Sequence, residues 1–142
     1  MTREKLTQAV AEAVEASGFA FQTGFGYRIA LEIKRLPAAW LHPPTLEKKE
    51  GRNEGFIIYG VELDLVEICC TEGGNIADVK ERQWAALEDK AREICRRIGE
   101  AECVQVVTDI ALKPAEMSLT AKGELSLGVR FRVRMSYCEC CG

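Results

Sequence analysis

Cysteines offer the most recognisable chemistry in this chain, and seven are present. Cys138 and Cys141 form a Cys-x-x-Cys motif, and residues 69–70 are an adjacent cysteine pair. Structural zinc sites normally combine two knuckle-like pairs or add histidines, whereas the only histidine here, His42, lies among prolines. A redox dithiol belongs at a strand-to-helix junction, and this motif lies at the C-terminal end. We therefore expect no metal and no cofactor, and we predict a flexible Cys-rich tail near residues 138–142.

Glu15, Glu32 and Lys34 support an enzymatic alternative. Glu32-x-Lys34 on a predicted strand, after a helix that carries Glu15, follows the order of acidic residue and Glu-x-Lys in metal-dependent nucleases. In such a site the carboxylates hold Mg²⁺ and the lysine stabilises the transition state. The nuclease pattern also requires an acidic residue on the preceding strand, and residues 18–28 contain none. His42 has no companion histidine and no motif serine or cysteine near it, and we interpret it as a surface residue.

Arg130, Arg132 and Arg134 occupy alternate positions in the most regular alternation of the chain, which runs from Leu125 to Tyr137. Alternation of this kind is typical of a strand with one buried face, so the three guanidinium groups share the other face. Like charges at neighbouring positions repel, and acidic residues on adjacent strands can neutralise them. The acidic candidates are Glu62, Asp64, Glu32 and Glu67.

This charged sheet face is either an exposed ladder of ion pairs or a contact surface for a partner. A chain with net charge -3 favours another subunit over a polyanion. The predicted subunit interface comprises Arg130, Arg132, Arg134, Glu62, Asp64, Lys48, Lys49 and Arg52.

Composition limits the other classes of function. Lys plus Arg number 19 and Asp plus Glu number 22, a balance that argues against broad affinity for nucleic acid. A chain of 142 residues with 47% hydrophobic residues suits one domain with a real core. No apolar run approaches the roughly 20 residues of a membrane helix, and the first residues do not resemble a signal peptide. We expect a cytoplasmic protein with no membrane partner and no specific nucleic-acid partner.

Two amphipathic helices are predicted. The longer one runs from Asn75 to Ile98, where Asn75 can cap the first turn and a single apolar stripe follows at three- and four-residue spacing. Gly99 is predicted to end it in the left-handed conformation. The shorter helix begins at Thr2 and ends at Gly18. Each helix has one apolar face and therefore requires a sheet to cover it.

The strands are predicted from alternation and from the residues that interrupt it. Residues 37–44 are expected to form an irregular segment or an edge piece, residues 45–55 to form a mobile charged loop, and Pro114 to end the third strand. The four predicted strands cover residues 27–34, 56–70, 103–112 and 125–137. The fold class is therefore α+β: a two-layer sandwich in the order αββαββ, with about four mainly antiparallel strands and two helices on one face.

The layout resembles that of phage tail-completion proteins, namely the tail terminator and related head–tail connector subunits. The likeness is carried by residues 61–68, by the helix at 76–98 and by the last strand at 128–137, with its Leu127-Gly128-Val129-Arg130 pattern. In that family an N-terminal helix precedes a strand pair, and a long amphipathic helix follows a strand. The segment at 37–55 and the Cys-rich tail depart from the family pattern.

The resemblance implies a non-enzymatic subunit of a phage or prophage tail. Such subunits form a ring, often a hexamer, that caps or connects the tail tube and docks to other tail or head–tail proteins. The protein would then be associated with the virion. Two alternatives stay open: the Mg²⁺-dependent nuclease, and a stand-alone α+β binding module of unknown ligand.

Overall fold

The computed structural model describes residues 2–29, 35–70 and 74–138. These residues form two long helices, one short 3-10 turn and six strands. The elements are α1 (Thr2–Ala16), β1 (Ala20–Thr23), the 3-10 turn (Gly26–Arg28), β2 (Ala38–Leu41), β3 (Thr45–Glu50), β4 (Glu54–Ile68), α2 (Ile76–Gly99), β5 (Val104–Met117) and β6 (Glu124–Cys138).

One open sheet contains all six strands, in the order β1-β2-β4-β6-β5, with β3 beside β4. β2 and β3 share one side of β4: β2 pairs with residues 63–66 and β3 with residues 56–60. β1 and β2 are parallel, and the other pairs are antiparallel. The α+β class and the mainly antiparallel sheet are confirmed, but the prediction of four strands in the order αββαββ was wrong.

Both helices pack on the same face of the sheet, which we call the inner face. α1 contributes Leu6 and Val10, and α2 contributes Leu87 and Ile94, to a single apolar cluster. Its sheet residues alternate along the two central strands: Ile57, Tyr59, Val61, Leu63 and Leu65 on β4, and Leu127, Val129, Phe131, Val133 and Met135 on β6. The opposite side chains of these strands define the outer face.

The predicted ends of α2 are partly right. The Asn75 side chain accepts a hydrogen bond of 2.9 Å from the Ala77 amide, as the sequence predicts for a cap. Gly99 does not adopt the left-handed conformation; it stays in the helix, and the Glu100 amide bonds to the carbonyls of Arg97 and Ile98. That amide satisfies carbonyl groups of the last helical turn, so no residue in the left-handed conformation is needed there.

The predicted strand at 27–34 begins wrongly, because residues 26–28 form a 3-10 turn. Gly26 lies so close to the His42 ring that a Cβ there would be 2.7 Å from the ring carbon Cε1. Residues 30–34, which carry the rest of that prediction, lie outside the described residues. Ala38–Leu41, predicted to be irregular or an edge piece, is a fully buried strand between β1 and β4, and the prolines at 37 and 43 flank it.

The predicted loop at 45–55 is also mostly a strand. Thr45–Glu50 pairs with β4 and exposes all six residues, and a short turn at residues 51–53 follows. Charged residues are normal on a peripheral strand. β5 likewise continues through Pro114 to Met117, because an edge strand tolerates a missing amide.

The outer face differs from one end of the sheet to the other. Near β1 and β2 it is covered: Trp40 is completely buried, and its Nε1 donates a 2.9 Å hydrogen bond to the Gly24 carbonyl. Across β3, β4, β6 and β5 the arginines of β6 are exposed. No helix in the described part of the chain is long and apolar enough to span a membrane.

Candidate functional site

The candidate site is the open half of the outer face, which we call the charged face. Its side chains come from β3, β4, β6 and β5 and form rows across the strands. Lys48, Ile58 and Arg134 occupy one row, since Lys48 pairs with Ile58 and Ile58 with Arg134. The next two rows contain Gly60 beside Arg132, and Glu62 beside Arg130. All three arginines of the sequence prediction therefore lie on this face.

Arg132 is held by two carboxylates from opposite sides. Its Nε lies 2.7 Å from Glu47 Oε1, and its Nη1 lies 3.1 Å from Asp109 Oδ2. These interactions raise the pKa of Arg132, chiefly through the hydrogen bond to Glu47 and then through the one to Asp109. The guanidinium group is therefore charged and fixed in orientation.

Two β-bulges place these carboxylates. The pairing of β3 with β4 shifts between Leu46 and Lys48, where Glu47 lies, and the pairing of β5 with β6 shifts between Thr108 and Ala111. Asp109, in the second bulge, has a φ of 55°, a left-handed conformation that aspartate tolerates better than most residues. Bulges redirect side chains in this way.

Arg130 forms the cross-strand ion pair that the sequence predicts. Glu62 is its direct neighbour in the register of β4 and β6, and its Oε1 lies 3.2 Å from Arg130 Nη2. Both side chains are more than half exposed, so water and salt screen the pair. Its contribution to the stability of the monomer is correspondingly small.

Asp64 pairs with a histidine instead of an arginine. Its register neighbour on β6 is Gly128, which has no side chain to meet it. His42 Nε2 instead donates to Asp64 Oδ2 at 2.7 Å, and both side chains are 24% exposed. The interpretation of His42 as a plain surface residue was incomplete, because the ring is held between Asp64 and Gly26.

These side chains line a groove of about 450 Å³ in the charged face. Gly60 lies in it without a side chain, and a Cβ at that position would be 3.1 Å from the Glu47 carboxyl carbon. Three carboxylates and two guanidinium groups line the groove, and Asp64 contacts the lining residue His42 without lining the groove itself. The acidic side chains of the groove are Glu47, Glu62 and Asp109, and the basic ones are Arg130 and Arg132.

The turn between β3 and β4 forms a second feature, the basic tip, with Lys48, Lys49, Arg52 and Arg134 as its cationic residues. The Tyr137 hydroxyl donates to the Gly51 carbonyl at 2.6 Å and lies 3.3 Å from the Arg52 carbonyl oxygen. Gly51 has a φ of 96°, and a Cβ there would be 2.0 Å from the Glu54 carbonyl oxygen. The turn therefore requires glycine and is tied to β6.

Two aromatic rings order the cations of the basic tip. The guanidinium of Arg134 lies 3.8 Å from the centre of the Phe56 ring, and Lys48 Nζ lies 5.9 Å from it. Lys49 Nζ lies 4.9 Å from the centre of the Tyr137 ring. Arg134 Nε also donates to the Gln105 side chain at 2.9 Å. Such cation–π contacts hold a charge in place while leaving it accessible to a partner.

The residues of the enzymatic alternative are not brought together by the described structure. Glu15 is exposed on α1, and Glu32 and Lys34 lie outside the described residues. Among the residues that the structure describes, no group of three or more His, Cys, Asp or Glu side chains could hold a metal ion.

The cysteines are only partly described. Cys95 is buried in α2, and burial raises the pKa of its thiol to about 11. Cys70 is exposed, and Cys69 and Cys103 are half-buried. The predicted Cys-rich tail lies almost entirely outside the described residues, because the structure describes the chain only as far as residue 138, the end of β6.

Several residues of the charged face were missed in the sequence. Glu47 and Asp109 lie in bulges, where alternation does not determine the direction of a side chain. Tyr137 fits the strand pattern as a core residue, and neither Tyr137 nor Phe56 gave a sign in the sequence of holding cations of the basic tip. Gly60 was the available signal, because a glycine inside a strand often marks a bulge or a close approach.

No protein-family model matches this chain, and no curated protein is similar to it in sequence. Function is therefore argued from the geometry of the charged face.

Proposed function

We propose that the protein is a non-enzymatic structural subunit that self-assembles through the charged face. The supporting observation is the unequal coverage of the sheet. α1 and α2 cover the inner face, whereas the arginines of β6 remain exposed on the outer face, with side-chain exposures of 74% for Arg130 and 55% for Arg132. A surface this exposed and this ordered suits contact with another protein.

The ion pairs of the charged face favour a role in binding over a role in folding. Exposed ion pairs add little to the stability of a monomer. Arg132 is nevertheless held by two carboxylates, and Arg134 is stacked on Phe56. Side chains ordered before binding lose less conformational entropy when a partner arrives. The arrangement is therefore suited to recognition by charge.

A ring is the form of assembly that we propose. The open sheet presents different surfaces at its two ends, and a contact between unlike surfaces closes into a ring when the rotation between copies allows it. The resemblance of the element order to phage tail-completion proteins supports the same form. On this proposal the ring caps or connects a tail tube in a phage or prophage, and other tail or head–tail proteins bind to it.

Sedimentation velocity and negative-stain imaging test this proposal. We expect ring-shaped particles for the purified protein and a shift to smaller species for Arg134→Glu, which reverses an exposed positive charge of the face. Arg92→Glu is the matched control, because Arg92 is exposed on α2 and carries the same charge change. A monomer at every concentration would overturn the proposal, and so would equal effects of the two variants.

A further inference from the structure

The groove lies on the charged face, and the basic tip, of opposite charge, lies at one end of the same strands. Resting on the proposed self-assembly, we infer that the groove of one subunit receives the basic tip of the next. The occupant is thus a second copy of this chain, and the contact joins unlike surfaces. The groove and the basic tip are thus the two halves of the proposed interface.

The groove carries an excess of negative charge. Glu47, Glu62 and Asp109 outnumber Arg130 and Arg132, which leaves a net charge of -1 with His42 counted as neutral. Each arginine is already paired within the subunit. A cationic group that enters the groove therefore meets carboxylates whose charge exceeds that of their partners.

The basic tip carries the complementary charge. Lys48, Lys49, Arg52 and Arg134 outnumber Glu50 and Glu54, for a net charge of +2. Residues 51–54 are all exposed, and the tip is held by the Tyr137 hydroxyl. A preformed projection of one charge and a preformed groove of the other favour fast and specific association.

A subunit cannot place its own tip in its own groove. Gly55 begins β4 beside the turn, and Gly60 lies in the groove five residues further along the same extended strand. At about 3.3 Å per residue the two positions are roughly 17 Å apart. The turn that carries Arg52 lies at the end of the strand away from the groove, whereas Lys48 and Arg134 lie in the row next to Arg132. Contact between this turn and a groove must therefore join two copies. A contact of this kind is heterologous and can propagate around a ring.

Two charge reversals test the inference. Glu62→Lys changes the groove, and Arg52→Glu changes the tip; both side chains are exposed, and Arg52 bonds to Tyr137 through its carbonyl only. We expect each variant to weaken self-association about tenfold or more at low salt. The matched controls are Glu81→Lys and Lys122→Glu, which make the same charge changes at exposed positions away from the face. Circular dichroism checks that every variant is folded.

Mixing the two variants then distinguishes unlike from like surfaces. Each variant keeps the surface that the other has lost, so an equal mixture should recover association between Glu62→Lys and Arg52→Glu chains, measured by native mass spectrometry with one chain isotopically labelled. A groove-to-groove or tip-to-tip contact would leave one variant unaffected, which would overturn the inference. Failure of the mixture to associate would overturn it as well.

Self-assembly and the pairing of groove with tip are refuted by different results. If the wild-type protein is a monomer, self-assembly itself is wrong. If the wild-type protein assembles and neither Glu62→Lys nor Arg52→Glu differs from its control, self-assembly stands and the pairing of groove and tip is wrong.

Discussion

The hydroxyl of Tyr137 offers a sharp test of how the basic tip is ordered. Tyr137→Phe removes the 2.6 Å hydrogen bond to the Gly51 carbonyl and the longer 3.3 Å contact to the Arg52 carbonyl. It keeps the aromatic ring that Lys49 approaches at 4.9 Å. The substitution therefore isolates the hydroxyl from the cation–π contact.

One good hydrogen bond and one weak one together contribute about 1 kcal/mol to the free energy of unfolding. For a chain of this size such a loss lowers Tm by about 2–4 °C. The loss should be local, so amide hydrogen exchange at residues 51–54 should accelerate while exchange in the central strands stays unchanged. Self-association should weaken as well, because binding would then have to order the tip.

Urea denaturation, hydrogen exchange and sedimentation measure these three effects. Tyr59→Phe is the control, because Tyr59 loses the same hydroxyl on the inner face, where its ring lies near Arg3. Unchanged exchange at residues 51–54 in Tyr137→Phe would refute the claim that this hydroxyl holds the tip. If Tyr137→Phe lowered the free energy of unfolding as much as truncation of a core side chain does, the estimate of about 1 kcal/mol for the hydroxyl would be refuted.

Three further outcomes are expected. Gly51→Ala should lower the free energy of unfolding in urea more than Gly74→Ala does. Both glycines have positive φ, but a Cβ at Gly51 also meets the Glu54 carbonyl, whereas one at Gly74 meets nothing within 4 Å. Equal losses for the two variants would contradict this expectation. At pH 8, iodoacetamide should label Cys70 and leave Cys95 unmodified in the folded protein, because the thiolate of Cys95 forms only as pH rises towards its pKa of about 11; peptide mapping that finds Cys95 labelled first would contradict its burial. Incubation with Mg²⁺ and DNA should give no cleavage, and cleavage that Lys34→Ala abolishes would favour the nuclease alternative.

Alternation predicted the strands whose two faces differ. Residues 127–136 bury one side chain in two, and the structure places that set on the inner face of β6. Apolar and polar residues alternate along a strand only when one face of the strand is buried and the other is exposed to solvent. All four residues of Ala38–Leu41 are buried, and all six of Thr45–Glu50 are exposed. Neither strand shows this alternation, and both were missed for that reason.

Of the contacts on the charged face, only those that depend on the register between β4 and β6 were predicted from the sequence. Glu62 and Arg130 meet because they are directly opposite in an unbroken antiparallel pair. Glu47 and Asp109 reach Arg132 from bulges, and His42 reaches Asp64 from a segment that follows a short buried strand. These contacts depend on tertiary packing that local sequence does not encode. The groove therefore emerged only from the structure.

The mass of the protein in solution tests self-assembly through the charged face most directly. Native mass spectrometry at low ionic strength should give one dominant species at an integer multiple of the 15.8 kDa chain, which dissociates as salt screens the face. Arg134→Glu should give smaller species under the same conditions. A single species at 15.8 kDa for the wild-type protein, at every salt and protein concentration, would contradict self-assembly.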